Sequence, residues 1–352
     1  EPQKLFSGEL PDADVRIRIV GVGGAGTNAV DRLKLDNFER VRLATIDTDA
    51  QSLASSPLEE KVMIGRGLTR GLSTGSEPEL GRQAAERDTE RIAKVTNGSD
   101  LVFLLAGLGR GTGSGAAPVV AQTAAEQGAL VIGFVTLPFS LEGTRRKEQA
   151  DKALSELRGV CDAVIPLPND IMLQQVEEGA TVLDAFARSD VWVSRAVRSV
   201  CSILFKTGLI NLDFATLKSV FVNRGGRTLY GLGRGEGPDA AKAAVSDLLF
   251  CPLLHMPEGP RRADSLLVNI VGGPGLAMRQ VNDILKVVTE KFCSRDNTVL
   301  GAVIDDAVGD TVEICVLGTT DVQGRKLINQ YIGKGTPAKP AQPAKPKSGQ
   351  TA

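Results

Sequence analysis

Histidine is almost missing from this chain. Its 352 residues contain one, His255. A mechanism built on a Ser–His or Cys–His pair would have to run through that residue. His255 sits in CPLLHMPEG with no metal-ligating neighbours, so it reads as an ordinary core or surface histidine. The cysteines, Cys161, Cys201, Cys251, Cys293 and Cys315, are scattered and form no C-x-x-C pair. Such a set argues for a reducing compartment and against a disulfide scaffold or a structural zinc. Charge of one sign is also lacking. Lys plus Arg is 41 and Asp plus Glu is 42, a net charge of −1, which gives the whole chain no footprint for nucleic acid. No apolar run reaches the ~18 residues of a membrane span. The first fifteen residues are polar and acidic and hold no signal-peptide core. These absences lead us to expect a soluble cytoplasmic protein.

Glycine is abundant, with 39 residues against about 25 at the usual ~7%. Clustered glycine brings backbone close to something. Segment 1–14 reads as a loose arm. Strand and helix patterns then alternate: a strand over 15–20, a glycine loop over 21–26, a helix over 27–35 and a strand over 41–46. Further on, a continuous apolar strand spans 101–105, a second glycine loop spans 107–115, a helix covers 116–127 and an apolar strand 130–135. Apolar strands alternating with helices mean a parallel sheet covered on both faces.

Residues 181–206 carry apolar side chains at three- and four-residue steps, which predicts one long helix. At 1.5 Å per residue it spans roughly 39 Å, enough to link two domains. Its Trp192 reads as a packing residue. Beyond it the pattern gives helices over 213–222 and 276–292 and strands over 228–232, 265–271, 298–304 and 312–317. This predicts a smaller α+β domain with helices on one side of its sheet. Five parts follow: an arm (1–14), a Rossmann-like parallel-sheet domain (15–180), a central linking helix (181–206), a loop with the second domain (207–320), and a tail (321–352) rich in Pro and Lys. The tail ends GKGTPAKPAQPAKPKSGQTA, a composition that predicts disorder.

Gly21-Val22-Gly23-Gly24-Ala25-Gly26 fits G-x-G-x-x-G between a strand and a helix, and Asp47 and Asp49 follow the next strand. Alone this is a dinucleotide fingerprint, with pyrophosphate at a helix N-terminus. The second loop carries glycine at every other position from Gly107 to Gly115, with Thr112 and Ser114 between them. Backbone N–H groups in such a loop can wrap a phosphate. It is not a Walker loop, because no G-K-[ST] closes it. Two phosphate loops at the carboxyl ends of two strands suit a nucleoside di- or triphosphate.

The second loop resembles the signature of the tubulin/FtsZ superfamily, in the form of its FtsZ branch. The resemblance continues in order through GVGGAGTNAV (21–30), DTDAQSL (47–53), GLTRGLSTGSEPELG (67–81), LPFSLEGTRR (137–146), PLPNDIML (166–173), LDAFARSD (183–190), GLINLDFATLKSV (208–220) and GAVIDD (301–306). It implies a GTP- and GDP-binding, GTP-hydrolysing protein that polymerises head-to-tail into filaments, in cell division or a related scaffold. It also assigns roles. Gly23, Gly24 and Ala25 would meet the α- and β-phosphates, in the loop pair completed by Asp49. Gly109, Arg110, Gly111, Thr112, Gly113 and Ser114 would surround the β-phosphate. Gly75 would lie near the γ-phosphate, unless its turn is a plain surface loop. Glu142 would accept the ribose hydroxyls and Arg146 would lie along the ribose and phosphates. Asn28, Asn169 and Asp190 would read guanine, and Phe186 would stack on the base unless it is a plain core residue. Mg²⁺ would be held by phosphates and water, as this hard ion prefers.

The resemblance puts catalysis in trans. Asn211 and Asp213 would enter the γ-phosphate face of a neighbouring subunit, with Asp213 polarising the attacking water and Lys218 beside it. Three departures stand out. Thr216 occupies the place of the family's usual second Asp, and losing a base typically costs roughly 10²–10⁴-fold in rate. Arg110 replaces a glycine, as a built-in cation near the phosphates or as a solvated loop charge. The family's acidic and apolar terminal peptide for membrane adaptors is absent, which leaves the adaptor undefined. The tail's lysines offer contact with an anionic membrane or nucleic acid, or form a solvated linker end; no specific nucleic acid is expected. Two other readings stand beside the main one. One is a family paralogue with little or no hydrolysis that copolymerises with, or caps, another member. The other is a nicotinamide oxidoreductase using the first glycine loop alone.

Overall fold

The hexad Ile17–Val22 is buried along both faces, its one charged side chain, Arg18, paired with Glu60, and the Leu101–Ala106 run is fully apolar. They therefore form adjacent central strands of a parallel sheet. The computed structural model of the chain describes residues 15–34, 41–173, 181–205, 210, 213–221, 225–256, 259–294 and 297–320, without the side chains of 34, 172–173, 182–190, 203 and 205. The arm 1–14 and the tail 321–352 lie outside the described residues.

In chain order the elements are β1 (Ile17–Val22), α1 (Gly23–Lys34), β2 (Val41–Asp47), α2 (Ala50–Ser55), β3 (Glu60–Met63), α3 (Arg66–Thr69), α4 (Pro78–Arg87), α5 (Thr89–Thr96), β4 (Leu101–Gly107), α6 (Gly111–Glu126), β5 (Leu130–Leu137), α7 (Thr144–Val160), β6 (Ala163–Pro168), α8 (Asn169–Leu173), α9 (Val182–Phe205), α10 (Phe214–Val220), β7 (Thr228–Glu236), α11 (Ala240–Leu249), β8 (Ser265–Gly272), α12 (Met278–Phe292), β9 (Thr298–Ile304) and β10 (Thr311–Thr319).

The first sheet has the order β3-β2-β1-β4-β5-β6, parallel throughout. The winding reverses between β1 and β4, and ligands of open α/β sheets bind outside the strand carboxyl ends at such a switch point. The second sheet has the order β7-β10-β8-β9, with antiparallel pairs around β10 and a parallel β8–β9 pair. The fold class is the expected one: a Rossmann-like sheet, a long helix and a smaller mixed-sheet unit.

Two expectations need correction. Helices do not lie on one side of the second sheet only. On β7, Gly233 and Gly235 face Ala244 and Leu248 of α11. On β8, Gly272 faces Leu276, just before α12. The opposite face meets α9: Tyr230 donates to the Trp192 carbonyl at 3.3 Å, and the Asn269 amide donates to Ser199 and Ser202. Trp192 is a packing residue, set edge-on to Tyr230 with centroids 6.4 Å apart. Tyr230 in turn meets Phe134 of β5 edge-on at 6.0 Å, so α9 and both sheets share one core.

The second correction concerns the glycine loops. Helices α1 and α6 begin at Gly23 and Gly111, inside the stretches expected to be loops. Each glycine in a helix costs about 1 kcal/mol against alanine, but here the bare backbone is what allows contact. A Cβ on Gly115 would lie 1.9 Å from the Pro78 carbonyl, and one on Gly81 would lie 2.6 Å from the Gly111 carbonyl. Packing of α4 on α6 thus outweighs poor local propensity. All five cysteines are buried and none is in a disulfide.

Candidate functional site

The two glycine-rich turns meet at the switch point. Gly23 is left-handed (φ +72°), and a Cβ there would stand 2.9 Å from the Gly113 nitrogen. A Cβ on Gly26 would stand 2.3 Å from the Leu105 carbonyl, and one on Gly113 2.2 Å from the Gly107 carbonyl. These glycines lock β1, β4, α1 and α6 together. Gly24 is different: it is exposed and a Cβ there would meet nothing within 4 Å. Ala25 and Asn28 are exposed beside it. Gly23, Gly26 and Gly113 therefore build the floor, and Gly24, Ala25 and Asn28 face outward.

Hydrogen-bond accounting at α6 shows which amides remain. The Gly111 N–H donates to the Gly75 carbonyl (3.2 Å), and the Gly109 N–H donates to Ser114 Oγ (2.8 Å). The first-turn N–H groups of Thr112, Gly113 and Ser114 remain, at the positive end of a sixteen-residue helix. Such a helix end attracts anions. The side chains of Thr112 and Ser114 also bond within the chain, although the Ser114 hydroxyl, an acceptor there, keeps its own proton to donate. Ser114 Oγ takes the Gly109 N–H, and Thr112 Oγ1 lies 3.0 Å from Thr48 Oγ1 and 3.1 Å from Thr74 Oγ1. Thr48 and Thr74 were not singled out by sequence; the only signal was that each is a hydroxyl in a turn matching the family.

Asp49 caps α2, accepting from the Gln51 and Ser52 N–H groups at 2.9 and 3.3 Å. Asp47 is buried beneath it. Burial pushes its carboxyl above the ordinary range, against hydrogen bonds from the Thr48 and Asp49 N–H groups. Gly75 is exposed in a left-handed turn (φ +61°), with open space where a Cβ would be.

On the other flank, Glu142 accepts the Phe139 N–H at 3.0 Å and pairs with Arg146. Arg110 stands farther off, 4.0 Å from the same carboxylate and 68% exposed. A carboxylate offers about four lone-pair sites, so Glu142 keeps capacity for a sugar hydroxyl. The Ser140 N–H and hydroxyl donate to Asp170, which ties this segment to the start of α8. Next to Asp170, Asn169 is 5% exposed and its Oδ1 has no hydrogen-bond partner. A buried orphan acceptor costs roughly 1–3 kcal/mol, and a ligand donor reaching Asn169 would relieve that cost. The side chains of Phe186 and Asp190, and Asn211, lie outside the described residues.

No group of three or more His, Cys, Asp or Glu side chains converges among the described residues. The chain supplies no metal cage there, and a Mg²⁺ ion would rest on phosphate oxygens and water.

Asp213 and Lys218 are not part of this cluster. Asp213 caps α10, with Oδ1 accepting the Thr216 N–H at 2.7 Å. Hydrogen bonds from Thr216, hydroxyl and backbone, hold its carboxyl below the ordinary range. Hydrogen bonds show where α10 sits: the Val220 carbonyl at its end accepts the Thr319 hydroxyl (2.8 Å), Thr319 pairs with Thr228, and the Thr228 hydroxyl accepts the Val164 N–H (3.2 Å) at the start of β6. The glycine turns follow β1 and β4, at the other end of the same parallel sheet. The α10 segment, with Asp213 as its cap, and the glycine turns therefore belong to opposite ends of the first sheet.

Comparison with known proteins gives a consistent picture. The family model described as Tubulin/FtsZ family, GTPase domain, matches residues 16–177, and that described as FtsZ family, C-terminal domain, matches 226–323. An empty FtsZ dimer from M. jannaschii is 35% identical, with a TM-score of 0.81 over 90% of this chain and 91% of that one. A GTPγS-bound protofilament of CetZ2 from Haloferax volcanii has a TM-score of 0.71 over 90% and 98%. A CetZ from Methanosaeta thermophila has a TM-score of 0.72 over 91% and 90%. Both CetZ proteins are 21% identical and share the fold.

Proposed function

The chain belongs to the tubulin/FtsZ family, and on that premise we propose that it binds and hydrolyses GTP at a site completed between subunits of a head-to-tail filament. The observation that carries this reading is the separation of the phosphate turns from Asp213 by the length of the first sheet. A site split between opposite ends of one chain can be assembled only by a second copy. A heterologous contact that does not close into a ring gives an open filament. The M. jannaschii dimer and the CetZ2 protofilament show that relatives self-associate.

In this reading the Thr112, Gly113 and Ser114 amides and the outward turn at Gly24 hold the phosphates. Glu142 takes the ribose, and Asn169 with Asn28 and Asp190 reads guanine. Arg146 keeps Glu142 oriented, and Arg110 adds cationic charge at the α6 N-terminus. Asp213 of the next copy, ionised, orients a water for in-line attack, with Asn211 and Lys218 beside it. Thr216 is neutral, so the water meets one carboxylate where two-acid relatives offer two, and hydrolysis is slow. Residues 15–180 form the nucleotide-binding part, 181–206 the link and 207–320 the part that completes the neighbour's site. No helix among the described residues is long and apolar enough to cross a membrane, and we place the filament in the cytoplasm, in cell division or a related scaffold. A second reading keeps the filament and drops turnover, and it too rests on Thr216.

The test is phosphate release with GTP across protein concentrations, alongside light scattering. Activity per subunit should rise above a critical concentration together with scattering. A rate per subunit that stays flat down to the monomer would refute the split site. Assembly with no phosphate release would establish the second reading.

A further inference from the structure

The segment 70–77 crosses the N-terminus of α6, with the Gly111 N–H on its Gly75 carbonyl and few buried side chains. Arg70, Gly71 and Gly75 are all left-handed, and Leu72 is 68% exposed. Of these residues only Thr74 is buried. Its anchor is polar: Thr74 Oγ1 lies 3.1 Å from Thr112 Oγ1, which lies 3.0 Å from Thr48 Oγ1. Three hydroxyls thus join the turn after β2, the first turn of α6 and this segment. Gly111 leaves room for the joint, since a Cβ there would sit 2.0 Å from Thr74 Oγ1. Three further bonds follow the same docking: the Ala50 N–H to the Gly71 carbonyl (2.9 Å), the Gly111 N–H to the Gly75 carbonyl (3.2 Å) and Gln149 Nε2 to the Ser76 carbonyl (3.0 Å).

We propose that Thr74 is a positioning residue that sets how long nucleotide stays bound. Its hydroxyl fastens the Gly75 turn to the same helical turn whose amides meet the phosphates. With the latch closed, Gly75 walls the phosphate face and its carbonyl occupies the Gly111 N–H. With the hydroxyl removed, the segment keeps only the bonds to its Gly71, Gly75 and Ser76 carbonyls and opens more readily. Thr74 acts through Thr112 and Gly75, not by touching the reacting atoms. The inference rests on the guanine-nucleotide reading above.

The test is displacement of a fluorescent GDP analogue by excess GTP, followed by stopped flow on the full chain. Thr74→Val keeps the shape and deletes the hydroxyl. It should release the analogue about three- to tenfold faster, the scale of one net hydrogen bond, with an unchanged melting temperature. Thr74→Ser should restore the slow rate. Thr48→Val, at the far end of the hydroxyl chain, should speed release less, and adding it to Thr74→Val should have no further effect. Release from Thr74→Val at the wild-type rate overturns the proposal. So does a Thr74→Ser protein as fast as Thr74→Val, because packing and not the hydroxyl would then matter. Wild-type protein that fails to bind the analogue removes the guanine-nucleotide reading itself, and this inference with it.

Discussion

Asp213 accepts the backbone N–H of Thr216 at 2.7 Å, so the acid proposed to polarise water and the residue proposed to replace a second acid are joined as the cap of α10. The bond uses main chain at position 216 and survives any side chain there except proline. Thr216→Asp therefore keeps the cap and adds a second carboxylate about one helical turn from Asp213. Turnover should rise several-fold with little change in GTP affinity. Asp213→Ala should nearly abolish turnover while GTP still binds. Phosphate release and equilibrium nucleotide binding, measured on the same preparations, separate the two effects. If Thr216→Asp is silent and Arg110→Gly abolishes hydrolysis, catalysis rests on the arginine.

The same contact fixes a pH dependence. Hydrogen bonds from Thr216 hold the Asp213 carboxyl below its ordinary value of about 3.9. A depressed folded-state pKa adds stability that is present above the unfolded value and is lost as pH falls through the folded one. Asp213 thus stays ionised through neutral and mildly acidic solution. Single-turnover hydrolysis by preassembled filaments should show no acid limb from this group above about pH 4. Thr216→Val, which deletes the hydroxyl bond, should move the Asp213 titration upward, readable by carboxyl NMR shifts.

Two neighbouring glycines should answer differently to one methyl group. Gly26→Ala places Cβ 2.3 Å from the Leu105 carbonyl and must push β4 away. Overpacking of this kind costs about 1–3 kcal/mol, occasionally more, visible as a lower denaturation midpoint. Gly24→Ala meets open space, so the midpoint should hold and only nucleotide affinity should fall. Equal loss of stability in both variants would mean that Gly24 is packed.

Base selectivity should depend on Asn169. Its buried Oδ1 lacks a partner, and supplying one from guanine relieves that cost only when ligand is bound. Asn169→Ala should weaken GDP binding about fivefold or more and leave the free protein's melting temperature unchanged or raised. A melting temperature several degrees lower, with GDP affinity intact, would show that Asn169 serves the fold.

Much of this architecture was legible in the residues. The apolar runs at 101–105 and 130–135, with no alternation, announced buried parallel strands, and the helix expected over 181–206 is α9 at Val182–Phe205. What periodicity could not give was where the glycine turns become helix, because low propensity there is overridden by contact with Pro78, Thr74 and Leu105. Nor could it give the hydroxyl chain through Thr48, Thr112 and Thr74, whose members are far apart in sequence. Thr112 and Ser114 show the same limit. A pattern identifies hydroxyls in a turn, but only the packed structure shows which bonds their oxygens make within the chain. The second face of the smaller sheet was missed because its partner, α9, comes from outside that segment.

The near-contact of Gly23 with Gly113 has a mechanical meaning. One turn rides on the other with no side chain between them to deform, so neither half of the sheet can shift alone at the switch point. Probes on the β2 side and the β5 side should therefore report one shared transition on nucleotide titration. The pocket would work as a hinge pin, registering occupancy on both halves at once.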